Sequence, residues 1–149
     1  MDGLFPILAN KEKGVRCVDL GASTLEAVEA MCNHHVGALI VTDEGSPVGI
    51  VSERDILTRV VLARRDPSMT SIAMVMTPEL LCVGPETDPH EAMAVMTRRR
   101  VRHLPVIDNG HLIGVVSMGD LIHWASMQRD QELRMLRAYV TGVDERYAT

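Results

Sequence analysis

The sequence predicts an α/β protein made of two similar units, and an internal repeat is the main reason. When residues 17–57 are aligned without a gap to the residues 65 positions later, 14 of the 41 pairs are identical. In each copy the hydrophobic pattern also follows the order strand, helix, strand, strand, helix. So many matches in one register indicate one supersecondary unit used twice and related by an approximate two-fold axis. A ligand site is therefore expected where the two copies meet.

In the first copy, local signals mark each element after an initial apolar stretch. Ser23 followed by Glu26 predicts the start of a helix through a capping box. Two β-rich runs, 36–42 and 48–51, flank a turn and predict a hairpin. The Ser-x-x-acid pattern then returns and predicts a further helix over 52–63.

The second copy repeats this order with a stronger start signal, because Asp88 can cap its helix and a proline follows. Runs at 104–107 and 112–116 predict the second hairpin. The last helix is predicted over 117–140, with Gly142 as its C-cap. This helix outlasts its counterpart in the first copy, so its end lies beyond the repeat.

Breaks in the pattern divide the chain. Residues 1–66 are predicted to form the first unit with its N-terminal segment, 67–127 the second unit, and 128–149 a C-terminal helical extension. A linker at 64–68 separates the units, and a short helix at 71–76 follows it. The apolar side chains of the extension predict a homodimer, because they need a partner surface.

The composition excludes several protein classes. No apolar run approaches the roughly 18 residues that would span a bilayer, and the first residues lack the basic and apolar regions of a signal peptide. Three cysteines without CxxC spacing indicate neither a disulfide framework nor a zinc ribbon. These features predict a cytoplasmic protein with reduced thiols and no contact with a membrane.

The charge argues against a nucleic-acid function. The formal net charge is -5, whereas proteins that bind phosphate backbones usually carry a basic surplus. A basic run at 98–102 ends a predicted helix, where basic side chains suit the helix dipole and face solvent. We therefore interpret this run as a solvated helix end, with nucleic-acid binding as the weaker alternative.

Each predicted hairpin closes with the motif Gly-x-Val-Ser-x-x-Asp, at 49–55 and again at 114–120. Together with Val-Gly-Ala-Leu-Ile-Val at 36–41 and the segment 96–108, which contains Leu-Pro-Val, these doubled motifs resemble the cystathionine-β-synthase (CBS) domain family. The resemblance covers nearly the whole chain. It implies two pseudo-symmetric CBS domains packed through their sheets, with no enzymatic activity and no catalytic cofactor.

The resemblance also implies a ligand site. In such pairs, adenine nucleotides bind in clefts between the domains, so the expected regulatory ligand is AMP, ATP or NAD. The Asp of each Ser-x-x-Asp motif takes the ribose hydroxyls, the Ser and nearby basic residues take phosphate, and apolar residues of the first strand hold adenine. Matched onto this sequence, the nucleotide-binding residues are Val18, Ser52, Arg54, Asp55, Val83, Arg102, His103, Ser117 and Asp120.

The chemistry of these residue types fits that role. A carboxylate can accept two hydrogen bonds from a vicinal diol, and its charge strengthens both. A helix N-terminus offers N–H groups to a phosphate, and Arg102 adds a charged fork of donors. The two sites are expected to be unequal, because the first copy has Gly37 and Ala38 where the second has Arg102 and His103. Arg54 can compensate in part in the first copy.

Other readings remain open. The pairs Ser52/Asp55 and Ser117/Asp120 could serve only as helix caps, a structural device worth about 1 kcal/mol. Their recurrence inside the family motif favours binding at one site at least. The runner-up function is an unliganded dimerisation or scaffold module, and a metal or redox sensor that uses Cys32 and its neighbouring histidines comes third. No spacing supplies four zinc ligands, so no metal site is predicted. In the leading reading, the bound state passes to an unknown effector protein.

Overall fold

A computed structural model describes residues 3–9, 16–78 and 80–141 and confirms the α/β class, with two sheets and a long last helix. The helices are α1 (Phe5–Ala9), α2 (Thr24–His34), α3 (Glu53–Ile56), α4 (Ile72–Val75), α5 (Pro89–Arg99) and α6 (Met118–Thr141). The strands are β1 (Cys17–Asp19), β2 (Ala38–Asp43), β3 (Ser46–Ser52), β4 (His103–Asp108) and β5 (His111–Ser117).

The first unit holds a three-stranded sheet, in which β2 lies between its parallel neighbour β1 and its antiparallel neighbour β3. The start of α2 is as predicted, because the Ser23 hydroxyl accepts a hydrogen bond from the Glu26 backbone N–H at 3.2 Å. The helix predicted over 52–63 has a different form. It is α-helical only through α3 and continues as a π-helical turn over Leu57–Val61. The spacing of apolar residues over five positions is too short to distinguish a π-turn from an α-turn.

The second unit differs from the first in its leading strand. Val83 forms only an isolated parallel bridge to β4, so β4 and β5 make a two-stranded sheet. In the first unit, the N–H groups of Leu20 and Ile40 extend the ladder beside β1, with N–O distances of 2.8 and 3.0 Å. The residues 65 positions later are Pro85 and Pro105, which have no N–H to donate. The strand predicted at the start of the second copy is therefore reduced to one bridge.

Both hairpins turn over two residues with positive φ. Glu44 and Gly45 have φ values of 50° and 83°, and Asn109 and Gly110 have values of 50° and 78°. Such angles are typical of a type I′ turn, whose twist matches that of the two flanking strands. The predicted turn positions are thus confirmed in both copies.

The short helices that precede the units are exchanged between the two cores. Ile7 of α1 is buried in the core of the second unit, and Ile72 of α4 is buried in the core of the first. The division predicted from the sequence places residues 1–66 with the first unit and 67–127 with the second. In the structure, α1 packs on the second unit and α4 packs on the first, which is the reverse of that division.

Two glycines make room for the exchanged segments. A Cβ atom on Gly49 of β3 would lie 2.7 Å from the carbonyl oxygen of Thr77. A Cβ atom on Gly114 of β5 would lie 2.6 Å from Cδ2 of Leu8. Gly49 and Gly114 are a pair in the repeat, so both copies keep glycine where another segment of the chain crosses the strand.

Each unit has its own aliphatic core. The first consists of Ala27, Met31, Leu39, Val41, Val51, Val60, Ile72 and Val75, and the second of Leu4, Ile7, Ala92, Met96, Leu104, Val106, Val116 and Leu121. Trp124 of α6 contacts His90 of α5 edge-on, with ring centroids 5.3 Å apart. Trp124 therefore joins two helices of the second unit.

The last helix extends beyond the second core. Its first turn packs through the buried side chain of Leu121, whereas Leu133, Leu136 and Tyr139 are 44%, 58% and 87% exposed. The predicted C-cap, Gly142, lies outside the described residues. Within the described ranges, no helix combines the length and hydropathy needed to cross a bilayer. The exposed apolar face of α6 is the surface on which the predicted homodimer depends.

Candidate functional site

One cleft, with a volume of about 480 Å³, lies between the two units. The strand β3, helix α3 and the segment after α4 contribute to it from one side, and the residues that join α5 to β4 contribute from the other. The cleft brings together five of the nine predicted nucleotide-binding residues, namely Ser52, Arg54, Asp55, Arg102 and His103.

Ser52 and Asp55 cap α3 reciprocally, as the Ser-x-x-acid pattern predicted. The Ser52 N–H donates to Oδ2 of Asp55 at 2.9 Å, and the Ser52 hydroxyl donates to the same oxygen at 3.1 Å. In return, Ser52 Oγ accepts a hydrogen bond from the Asp55 N–H at 3.4 Å. The Ser52 hydroxyl, expected to contact phosphate, is thus engaged in the cap. Within this carboxylate, the cap engages Oδ2 and leaves Oδ1 outside the cap.

Oδ1 of Asp55 has a partner that the repeat did not reveal. The Thr77 hydroxyl donates to it at 3.2 Å, and the Thr77 backbone is paired with Ile50 through two hydrogen bonds of 2.8 and 3.0 Å. Thr77 lies outside the aligned repeat, in the segment that leads into the second unit. The one signal for it in the sequence is Gly49, because a glycine within a strand marks a close backbone approach.

Positive charge reaches the cleft from both units. Arg54 comes from the first unit, and Arg100 and Arg102 come from the second, with the His103 imidazole next to Arg102 in the lining. Arg102 and His103 therefore share a cleft with Asp55, although they belong to the other copy of the repeat. Two carboxylates, those of Asp55 and Glu53, and the guanidinium groups of three arginines line the same cavity.

Gly37 keeps this part of the cleft open. It stands where the second copy has Arg102, and a Cβ atom on it would lie 3.5 Å from Nε2 of His103 and 3.5 Å from Cδ of Glu53. The side chains of Glu53 from the first unit and His103 from the second thus both lie close to Gly37. A larger side chain at this position would narrow the space between them.

The second Ser-x-x-Asp motif forms the same cap at the start of α6. The Ser117 N–H donates to Oδ2 of Asp120 at 2.8 Å, and the Asp120 N–H donates to Ser117 Oγ at 3.1 Å. Neither residue lines the cleft that holds Asp55. The two motifs therefore lie in different surroundings despite their equal local geometry.

Val18 and Val83, expected to contact adenine, pack against the cores of the first and second units, respectively. Neither valine lines the cleft. Its apolar lining includes Ile50 of β3 and Leu80 and Leu81, which follow Thr77 in the chain, and is completed by Leu57, Val101 and Pro105. The reason is that the segment between the units, rather than a first strand, passes along the cleft.

A second and more open groove, with a volume of about 640 Å³, lies on the first unit. Apolar residues of α2, among them Val28 and Met31, form much of its lining. Gly37, Glu53 and Leu57 line both this groove and the cleft. The two cavities therefore share a wall that includes the end of the capped helix.

The cysteines offer no metal centre in the described part of the chain. There, no group of three or more His, Cys, Asp or Glu side chains is placed to hold a metal ion. Partial burial raises the pKa of the Cys17 thiol and that of the Cys82 thiol, although the Cys17 side chain remains exposed at the surface. A raised pKa leaves less thiolate at neutral pH, which weakens a cysteine both as a nucleophile and as a metal ligand.

Comparisons with known proteins match this fold. The sequence matches the CBS domain family over residues 12–62 and again over residues 72–126. It is 39% identical over 122 residues to the CBS domain-containing protein CBSX3 of Arabidopsis thaliana, which is described as mitochondrial. That match covers 78% of this chain and 59% of CBSX3, so the chain spans less than two thirds of this relative.

Two solved structures extend the match to three dimensions. A protein with CBS domains from Burkholderia ambifaria has a TM-score of 0.78 at 37% identity, over 80% of this chain and 90% of its own. A CBS-domain protein from Agrobacterium tumefaciens has a TM-score of 0.74 at 32% identity, over 78% of this chain and 88% of its own. With two matched copies, two cores and a cleft between them, the chain belongs to the CBS domain family as a tandem pair of CBS domains.

Proposed function

We propose that this pair is a regulatory module that binds an adenosine-containing ligand, such as AMP, ATP or NAD, in the cleft between its domains. The observation that carries the proposal is that Asp55 of one domain shares a single cleft with Arg102 and His103 of the other. A ribose acceptor and phosphate donors are thus available to one ligand. The cleft volume of about 480 Å³ is within the range of roughly 300–1,000 Å³ that small-molecule sites occupy.

Ribose recognition is assigned to Oδ1 of Asp55. Oδ2 already accepts two hydrogen bonds from Ser52, whereas Oδ1 accepts one from Thr77 within the described residues. An ionised acceptor holds a hydroxyl donor more strongly than a neutral one does. A sugar hydroxyl that reaches Oδ1 therefore gains a strong hydrogen bond while the helix cap stays intact.

Phosphate recognition is assigned to the basic residues. Arg102 offers a planar fork of donors with a permanent charge, and Arg54 and Arg100 add charge from both domains. His103 adds a further donor. Glu53 carries the opposite charge within the same cleft, so the phosphate is expected beside Arg102 and away from Glu53.

Adenine is expected against the apolar lining of the cleft. Ile50, Leu80 and Leu81 supply side chains that exclude water from one face of the base, while polar groups of the cleft orient the rest of the ligand. This lining is shared by all ligands that contain adenosine. It therefore contributes affinity without selecting among AMP, ATP and NAD.

A weaker second site is proposed beside Ser117 and Asp120. Its helix cap has the same form, so the same type of ribose acceptor is present. By the repeat, however, Gly37 and Ala38 stand where Arg102 and His103 serve the first site. Binding there should depend less on the number of phosphates.

We propose that the bound state passes to an effector protein or to a second copy of the chain. Glu53 and Leu57 line both the cleft and the neighbouring apolar groove, so a ligand that shifts α3 also changes the groove. A ligand acts in this way by favouring one of two existing arrangements, and only as far as it binds that arrangement better. We place this exchange in the cytoplasm, where the cysteines stay reduced.

Mass spectrometry of the purified protein tests the proposal directly. After native purification and denaturation, the wild type should release an ultraviolet-absorbing adenine nucleotide, and Asp55→Ala should release less of it. A wild type that releases none, and that shows no heat of binding with AMP, ATP or NAD, would reject the nucleotide function.

A second candidate is a dimerisation or scaffold module, which the exposed apolar face of α6 favours. A scaffold would stay dimeric without any nucleotide and would bind none. The same sample therefore separates the two functions, because its mass in light scattering and its released ligand are measured side by side. Metal analysis of that sample tests the third alternative, a metal or redox sensor.

A further inference from the structure

We propose that Thr77 is an internal competitor for the ribose. Its hydroxyl occupies an acceptor position on Asp55 that the second hydroxyl of a bound ribose must take, so its displacement sets both the affinity and the sugar selectivity of the site. This inference rests on the proposed nucleotide function and concerns the ligand class that the cleft prefers.

The number of acceptor positions on Asp55 is the first step. A carboxylate has about four such positions, two on each oxygen. Ser52 fills both positions on Oδ2, through its N–H at 2.9 Å and its hydroxyl at 3.1 Å, and Thr77 fills one on Oδ1 at 3.2 Å. Counting the donors that the described residues supply, one acceptor position on Asp55 remains. Two ribose hydroxyls need two such positions. A ribose that binds through both hydroxyls must displace one of these donors.

Thr77 is the donor that leaves most easily. The Ser52 N–H bond belongs to the helix cap, and its loss would leave that N–H unsatisfied. The Ser52 hydroxyl is held in the same cap, because its oxygen accepts a hydrogen bond from the Asp55 N–H at 3.4 Å. The Thr77 bond, at 3.2 Å, is the longest of these three bonds to the Asp55 carboxylate and exceeds the roughly 2.5–2.7 Å of a strong O–H···O⁻ bond. The hydroxyl can rotate away while the Thr77 backbone stays paired with Ile50.

This arrangement has a consequence for the sugar. A 2′-deoxy ligand presents one hydroxyl fewer and can use the remaining position while Thr77 stays in place. A ribose ligand gains its second bond only after the Thr77 hydroxyl has left. Thr77 therefore reduces the preference of Asp55 for ribose over deoxyribose.

Calorimetry on the full chain tests this, with AMP, ATP and their 2′-deoxy counterparts as ligands. Thr77→Val and Thr77→Ala both remove the hydroxyl but differ in side-chain volume, and Thr77→Ser keeps it as the matched control. Both hydroxyl-free variants should bind AMP about three- to tenfold more tightly, the effect of one hydrogen bond of ordinary strength, as suits the Thr77 distance of 3.2 Å. They should bind 2′-deoxy-AMP more tightly by less than about twofold. Thr77→Ser should bind both ligands like the wild type.

The other outcomes overturn the inference. Weaker AMP binding in both hydroxyl-free variants would make Thr77 a residue that positions Asp55, and unchanged binding would give it no role in recognition. Equal gains for AMP and 2′-deoxy-AMP would remove its role in sugar selectivity. A wild type that binds neither AMP nor ATP would defeat the proposed function and this inference with it, whereas a wild type that binds while the variants fail these expectations defeats the inference alone. Melting curves of the ligand-free variants verify that each is folded.

Discussion

Ile7 and Ile72 lie 65 positions apart in the sequence and are buried in opposite cores, with 6% and 0% of their surfaces exposed. Each comes from a short helix that precedes one domain and packs on the other. The two domains are therefore joined by exchanged side chains as well as by the linker. Because each core includes a residue from outside its own repeat, the stability of the pair should depend on both helices.

Replacing Ile7 or Ile72 by Ala should lower the free energy of unfolding by about 2–5 kcal/mol, because each change removes buried methyl groups and leaves a cavity. Met74→Ala is a matched control on α4, since Met74 is 60% exposed, and should change stability by less than about 0.5 kcal/mol. Urea denaturation measures all three. An Ile7→Ala variant as stable as the wild type would show that α1 contributes nothing to the second core.

Adenine nucleotides should raise the melting temperature. A ligand that binds only the native state, at 100 times its dissociation constant, adds about 2.7 kcal/mol, which is a rise of several degrees for a chain of 149 residues. Differential scanning calorimetry with millimolar AMP, ATP and NAD measures this, and inorganic phosphate is the control without adenosine. If all three nucleotides leave the melting curve unmoved, the nucleotide proposal loses its main support.

Mutations in the two Ser-x-x-Asp motifs should have similar effects on stability, through the helix caps, but different effects on nucleotide binding. Asp55→Ala and Asp120→Ala each remove one capping box, so each should lower stability by roughly 0.5–2 kcal/mol. Asp55→Ala should weaken AMP binding more, because Arg102 lines the cleft of Asp55. Calorimetric titration with AMP compares them. Binding left intact in both variants would mean that the repeated motif is a helix cap alone.

Arg102→Ala should weaken the binding of ATP more than that of AMP, and that of AMP more than that of adenosine, because the lost charge acts on phosphate. The difference should shrink as salt is added, since an open cleft is screened by ions. Titrations at two salt concentrations measure both effects. Equal losses for adenosine and ATP would remove the phosphate role of Arg102.

The intact chain should be a homodimer, and truncation after Met127 should weaken it, because the truncation removes the exposed apolar side chains of Leu133, Leu136 and Tyr139. Leu136→Glu tests the same face without shortening the helix. Met69→Glu is the control for the added charge, because Met69 lies outside α6 and its side chain is 83% exposed. Light scattering that shows a monomer of the intact chain at tens of micromolar would contradict the dimer.

Cys17 and Cys82 should react with iodoacetamide at pH 8 more slowly in the folded than in the unfolded chain, because partial burial raises the pKa of both thiols. The part of the effect that comes from restricted access should be smaller for the exposed Cys17. The pH dependence of stability follows from this shift. The contribution of the two thiols to the free energy of unfolding is complete below the pKa of the unfolded thiol, about 8.5, and is lost as the pH rises towards the higher pKa of the folded state. Mass spectrometry of a Cys32→Ser variant follows alkylation at both positions. Rates equal to those of the urea-unfolded variant would contradict the raised pKa.

The sequence by itself determined the features that depend on near neighbours and on the repeat. Helix caps at Ser23, Ser52 and Asp88 and the turn glycines rely on contacts within a few residues, so a local pattern is enough to predict them. The repeat adds the two units, because similar sequences in the same register fold alike. The absence of a full strand at Val83 also has a local cause, because Pro85 and Pro105 have no N–H groups to extend the pairing on either side of it. A pattern of apolar residues does not reveal this cause.

Only the tertiary structure decided which groups meet across the domains. The hydroxyl of Thr77 reaches Asp55 over 22 positions of the chain, and Arg102 shares the cleft of the opposite motif. Val18 and Val83 lie against the cores, because an apolar residue in a pattern fits a core and a ligand cleft equally well. The contact between Thr77 and Asp55 depends on which segment of the chain crosses Gly49 in β3. Neither helical nor strand periodicity in the sequence records such a crossing.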